Sequence, residues 1–185
     1  MQHAPTTAGV PVITVTGWSN SGKTTFFTRV VEILTAAGHN VGVIKHHGHK
    51  ADTVDQKGKD SWKYAQAGAN PVVLSSALQY AIFRSTPEGE VTRDELIARI
   101  GDEVEFVIVE GFRADAEGAV ELSRMATGKG PKLTSEERIA LITDNPDFAA
   151  EVAAEGKPVF GLDDHVEVAR YFCELAGVDA SGIGA

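Results

Sequence analysis

The stretch PVITVTGWSNSGKT, Pro11 to Thr24, decides the fold of this 185-residue chain. Its first half is an apolar, β-branched run that reads as a buried strand and stops at Gly17. From Gly17 to Thr24 it matches G-x-x-x-x-G-K-[ST] in full. The period then changes. Phe27, Val30, Val31 and Leu34 fall at i, i+3, i+4 and i+7, the buried stripe of a helix from about Lys23 to Ala37. A turn of small residues between a strand and a helix lets the backbone curl until several amides face one point, beside the positive end of the helix. The pattern therefore predicts a phosphate cradle from Gly17 and from Asn20, Ser21, Gly22, Lys23, Thr24 and Thr25. Lys23 is expected between the β- and γ-phosphates, with a catalytic as well as a binding role, and the Thr24 hydroxyl on Mg²⁺.

Outward from this stretch, short apolar runs alternate with helical patterns. That is the rhythm of an α/β fold: a mostly parallel, twisted sheet with helices on both faces. Strands are expected at Asn40–Lys45, Pro71–Ser76, Tyr80–Ser85, Glu105–Gly111, Arg138–Asp144 and Pro158–Leu162. AVELSRM, Ala119 to Met125, alternates in polarity and is expected nearer a sheet edge or an interface; one antiparallel strand or hairpin should be added to the sheet. Helices should begin with Asp60 as N-cap, with a Thr92–Glu95 capping box, at Asn145–Pro146, and with Asp164 and Glu167. A single nucleotide-binding domain over residues 1–185 is expected, with flexible ends at 1–10 and 178–185 and no internal repeat.

Composition narrows the function. With 43% hydrophobic and 23% charged residues, the chain has the make-up of an ordinary globular domain. A formal net charge of −9 opposes broad contact with nucleic acid or anionic membrane, yet permits a phosphate in a local pocket. The one cysteine, Cys173, and a start without a basic segment or apolar run point to the cytoplasm.

Three further features bear on a site at the strand ends. Glu110 closes the apolar run EFVIVEG, where a carboxylate would meet Mg²⁺ or polarise an attacking water. Asp144 closes RIALITD and either reads guanine, accepting from its N1–H and exocyclic amine, or helps to cap the next helix. The block IKHHGHKADTVDQKGKDSW, Ile44 to Trp62, places Lys45 and His46 at a strand end. Its three histidines suggest a metal, but on an extended chain only His47 and His49 share a face, and no second cluster at zinc spacing completes a site. A loop beside the phosphates fits better, with Asp52 or Asp55 approaching Mg²⁺ and Lys45 or Lys59 neutralising charge; a merely solvated loop is the plain alternative. Trp18, among small residues, either packs on the outside of the turn or anchors a partner.

Taken in order, GWSNSGKTT, VGVIKHHGH, the D…GKDSW…AGA continuation and VIVEGF resemble the molybdopterin-guanine dinucleotide biosynthesis protein B family. The resemblance runs from about Val12 to the last helix and is strongest over Gly17–Ala69 and Val107–Arg113. It implies a GTP-binding, weakly GTP-hydrolysing accessory protein of molybdenum cofactor synthesis, typically a homodimer. Such a protein assists the partner enzyme that attaches GMP to molybdopterin. It also implies Gly17 and Asn20 to Thr25 on phosphate, Thr24 and Glu110 on Mg²⁺, and Lys45 and His46 near the ligand. After EGF this family commonly carries Lys; here Arg113 keeps the charge. Two other classes use such a turn: a metallochaperone GTPase passing nickel or another ion through His46, His47 and His49, and a small-molecule kinase. The first would be expected to carry an additional Cys/His cluster, and the second an arginine-rich lid that the scattered arginines do not supply.

Overall fold

The computed structural model describes residues 3–47, 53–112 and 118–184. They divide into two compact units, residues 1–46 with 93–185, and residues 47–92.

In the larger unit, β1 (Thr6–Thr7) pairs antiparallel with β2 (Val10–Thr16), which runs into α1 (Lys23–Ala36) and then β3 (Val41–Lys45). The smaller unit holds α2 (Asp60–Gln66), β4 (Val72–Ser75) and β5 (Tyr80–Phe83). The larger unit resumes with α3 (Arg93–Ile100), β6 (Phe106–Glu110), β7 (Ala119–Ser123) and β8 (Arg138–Thr143). It closes with α4 (Pro146–Ala154), β9 (Val159–Phe160) and α5 (His165–Ala176). The main sheet has the order β3-β6-β2-β7-β8-β9, and every pairing along that path is parallel. The order reverses at β2, with β6 on one side and β7 on the other, so the crevice at a topological switch point opens at the end of the glycine-rich strand.

Helices cover both faces, as a parallel sheet requires. On one face Ile13, Val15 and Ile108 pack with Phe27, Val30 and Leu34 of α1 and with Phe172 of α5. On the other, Val12, Val107 and Val109 meet Ile97 of α3, while Leu141 meets Phe148 and Val152 of α4. Strands buried on two faces explain why the sequence shows continuous apolar runs there. Helix α4 starts as its sequence predicts: Asn145 Oδ1 accepts from the amides of Asp147 and Phe148 (3.0 and 3.2 Å), with Pro146 at the first turn.

Several expectations give way. AVELS is an interior strand, paired on both sides and buried at all five positions, not an edge or an interface. Its alternation misleads because Glu121 is a paired internal charge rather than a solvated one. The chain end does not fray over its described residues: Ile183 is buried against the α1–α5 layer and its carbonyl accepts from Arg170 (2.8 Å). Asp60 lies inside α2 and bonds Lys63, leaving Lys59 at the N-cap. Asp164 sits at the N-cap of α5 but accepts from the Gly161 amide (2.7 Å) instead of capping the helix.

In the smaller unit β4 and β5 form the added antiparallel hairpin, with Val73 opposite Ile82 and Ser75 opposite Tyr80.

Candidate functional site

One close approach and two left-handed residues shape the turn after β2. A Cβ on Gly17 would stand 2.2 Å from the Leu122 carbonyl, so only glycine lets β2 run this near β7 at the start of the turn. Gly22, the N-cap of α1, takes the left-handed conformation at φ +86°, and Asn20 also has positive φ at +64°. These signs fold the segment back before α1 begins, and the Ser21 amide donates to the Trp18 carbonyl (3.2 Å). Ser21 is buried within the turn, and its hydroxyl has no hydrogen-bond partner among the described residues. Lys23 curls over the turn and donates to the Trp18 carbonyl at 2.7 Å. Its pKa is lowered from that of a free lysine, first by burial and then by repulsion from Lys132 and Lys45, against the pull of Glu110. A site that disfavours its own cation is one whose charge balance improves when an anion arrives.

On the β6 side the parallel register sets Lys45 beside Glu110, at the ends of β3 and β6. The Lys45 ammonium donates to Thr24 Oγ1 at 2.9 Å and lies 3.2 Å from Glu110 Oε2. Hydroxyl and carboxylate oxygens thus converge on one cation, and hard oxygen donors of this kind suit Mg²⁺. Beside them, a groove of about 280 Å³ between α1 and β3 is walled by Val15, Phe27, Val31 and Ile108. The His46 amide bonds the Glu110 carbonyl at 2.8 Å, and its ring lies 4.6 Å from that of Phe112. His46 is therefore fixed at the same corner as Glu110.

On the β7–β8 side a network appears that the sequence reading missed. Glu121 and Arg138, both buried, form an ion pair at 2.9 Å. The same carboxylate accepts from the amides of Lys132 (2.6 Å) and Leu133 (3.4 Å), and Arg138 Nη2 donates to the Leu133 carbonyl (2.7 Å). This pins the segment after β7 against the glycine-rich turn. Lys132 Nζ donates to Thr16 Oγ1 and to the Gly17 carbonyl (3.0 and 3.1 Å), and Trp18 Nε1 donates to the Gly130 carbonyl (2.8 Å). The Lys129 ammonium lies over the Trp18 ring, 4.6 Å from its centre. Trp18 thus packs on its own chain, the plainer of the two readings. A lone glutamate inside an apolar strand and three cations within Arg124–Lys132 were the available signals.

Asp144, at the end of β8, is 36% exposed and accepts from the Met125 amide through Oδ1 at 2.7 Å. Asn145 does the capping, which leaves the second oxygen, Oδ2, facing Arg124 at 4.0 Å. Asp55 belongs to the smaller unit, where its Oδ1 accepts from the Gln56 amide (2.7 Å) and its buried Oδ2 has no hydrogen-bond partner among the described residues. His49, Asp52 and Arg113 lie outside the described residues. Among the described residues no three His, Cys, Asp or Glu side chains gather as a metal site, and no helix is long and apolar enough to cross a membrane.

Residues 12–144 match the family model for molybdopterin guanine dinucleotide synthesis protein B. The molybdopterin-guanine dinucleotide biosynthesis adapter protein of Escherichia coli K12 is 31% identical over 161 residues, covering 85% of this chain and 91% of the relative. Its counterpart in Haemophilus influenzae is 34% identical over 138 residues, covering 74% and 76%. The crystal structure of Bacillus subtilis MobB superposes with a TM-score of 0.64 at 29% identity, covering 85% of this chain and 93% of that one.

Proposed function

We infer that this chain, which belongs to the molybdopterin guanine dinucleotide synthesis protein B family, is a GTP-binding adapter protein of molybdopterin guanine dinucleotide biosynthesis. The carrying observation is the meeting of Thr24 Oγ1 and Glu110 Oε2 on one cation beside the glycine-rich turn. In this reading the amides of Asn20 to Thr25, with Gly17 opening the turn, hold the phosphates, and Lys23 neutralises their charge. Thr24 and Glu110 would hold Mg²⁺. When bound there, the ion would supply charge neutralisation to the phosphates, with Lys45 and His46 at the same corner. As an adapter the chain serves the enzyme that joins GMP to molybdopterin, and on its own it hydrolyses GTP slowly.

Asp144 supports guanine as the base. The ends of β2 and β8 are two strand spacings apart, about 10 Å, on the same edge of the sheet. Titration calorimetry with GTP and ATP is the direct test, with GTP expected to bind at least about tenfold tighter. In Asp144→Asn one oxygen still serves Met125, while the other position becomes a donor facing guanine's donors. GTP should then weaken by roughly 10- to 100-fold, and xanthosine triphosphate, which carries an acceptor there, should gain. Equal affinity for ATP and GTP in the parent chain would remove Asp144 as a base reader.

The homodimer reading rests on the hairpin. Val73, Tyr80 and Ile82 share one face of β4–β5 and are each more than half exposed. A two-stranded sheet with an apolar open face is marginal alone and fits a second copy of itself. Val73→Asp with Ile82→Asp is expected to convert a sedimenting dimer to monomer at micromolar concentration. A parent chain that sediments as a monomer would reject the dimer.

A further inference from the structure

We propose that Arg124 is a ligand-binding residue of the phosphate site, gripping the α- and β-phosphate end of the nucleotide from the side opposite Mg²⁺. This rests on the nucleotide reading given above. Arg124 follows β7, the strand between the glycine-rich turn and Asp144. Its guanidinium reaches back to the turn: a Cβ on Gly22 would lie 3.2 Å from Arg124 Nη1. Its base is fixed, because the next amide, that of Met125, is held by Asp144, and its own carbonyl accepts from the Thr127 hydroxyl and amide (2.8 and 3.0 Å).

The head group, by contrast, makes no hydrogen bond with any described residue. Asp144 Oδ2 makes only a long ion pair with it, 4.0 Å from Nε, and the side chain is 46% exposed. It stands at the positive end of α1, in a corner that already holds Lys23 and Lys132. A guanidinium with five donors gains nothing there from the helix and is repelled by its neighbours, unless an anion takes the donors up. The buried, unpartnered Ser21 hydroxyl in the same turn is a second polar group with bonding capacity to spare.

The topology decides which end of the ligand Arg124 meets. Thr24, Lys45 and Glu110 form the cation corner toward β6 and β3, whereas Arg124 lies toward β7 and β8, where the base reader stands. The phosphates it reaches are therefore those that GTP and GDP share.

The test is calorimetric titration of the full chain with GTP and with GDP, for the parent, Arg124→Ala and Arg124→Lys. Arg124→Ala should weaken GTP and GDP by the same factor, roughly 10- to 50-fold. Arg124→Lys should recover part of that loss, more at low salt, since charge returns without the planar fork. Unchanged melting temperatures should show that the folded state is intact. No loss for either nucleotide, or a loss confined to GTP, overturns the proposal. If the parent binds GTP while Arg124→Ala matches it, this inference fails alone. A parent that binds neither nucleotide overturns the underlying reading as well.

Discussion

Replacing Lys23 with Met is expected to abolish measurable GTP binding while leaving the free protein as stable as before, or slightly more so. In the free chain the Lys23 ammonium donates to the Trp18 carbonyl, its one hydrogen bond among the described residues. Its pKa is lowered, with burial the leading cause. A lysine whose folded pKa lies below its unfolded value opposes folding wherever it is protonated, so its removal at neutral pH costs no stability from charge. Met keeps the packing of the four-carbon stem. With GTP the balance reverses, because the ammonium would then face phosphate oxygens in a partly desolvated turn. Charge-assisted bonds of this kind are worth about 1.5–3 kcal/mol each, so losing two weakens binding by roughly 100-fold or more. Calorimetry and thermal unfolding of the same sample separate the two effects. Retained affinity would place the phosphates elsewhere, and a sharp fall in melting temperature would make Lys23 a structural residue.

The second large effect is expected at Glu121, a residue that touches no phosphate. Glu121→Ala leaves the Arg138 guanidinium buried without its carboxylate and the amides of Lys132 and Leu133 without their acceptor. Breaking one side of a buried pair costs about 3–5 kcal/mol. In a chain of this size that corresponds to a drop in melting temperature of roughly 10 °C. Because the same carboxylate anchors the segment carrying Lys132, and Lys132 bonds Thr16 and the Gly17 carbonyl, affinity for GTP should fall with stability. The double change Glu121→Leu with Arg138→Met removes both charges at similar volume and should restore part of the stability, the share that came from the unpaired Arg138 charge, while the Lys132 and Leu133 amides stay without their acceptor. A loss below about 1 kcal/mol in Glu121→Ala would show that Arg138 is satisfied by the Leu133 carbonyl and the Phe148 ring alone.

Where a residue's role follows from its neighbours in the chain, the sequence was enough. Gly17 to Thr24 is such a case: the turn, the left-handed glycine and the helix start are local, so the shape of the turn could be read from one strand and one helix. The same holds for the doubly buried strands and for the Asn145–Pro146 helix start, whose cap lies within three residues. Glu110 and Lys45 were legible as strand ends. Their meeting with Thr24, however, depends on β3 and β6 being neighbours in the sheet, and no local pattern states that.

Charge, by contrast, could not be placed from sequence alone. Glu121 looked like the solvated half of an alternating strand and is an internal ion, because Arg138 arrives from the next strand to neutralise it. Ile183 looked like part of a loose end and is core, because α5 carries the chain back over α1. Arg124, Lys132 and Trp18 became part of the site only through bonds and close approaches that link β7 and its following segment to the glycine-rich turn. The sequence by itself determined the glycine-rich turn, the α/β class and the family. The tertiary structure alone decided which charges are buried and which converge on the glycine-rich turn, since a charge's energy depends on what folding brings beside it.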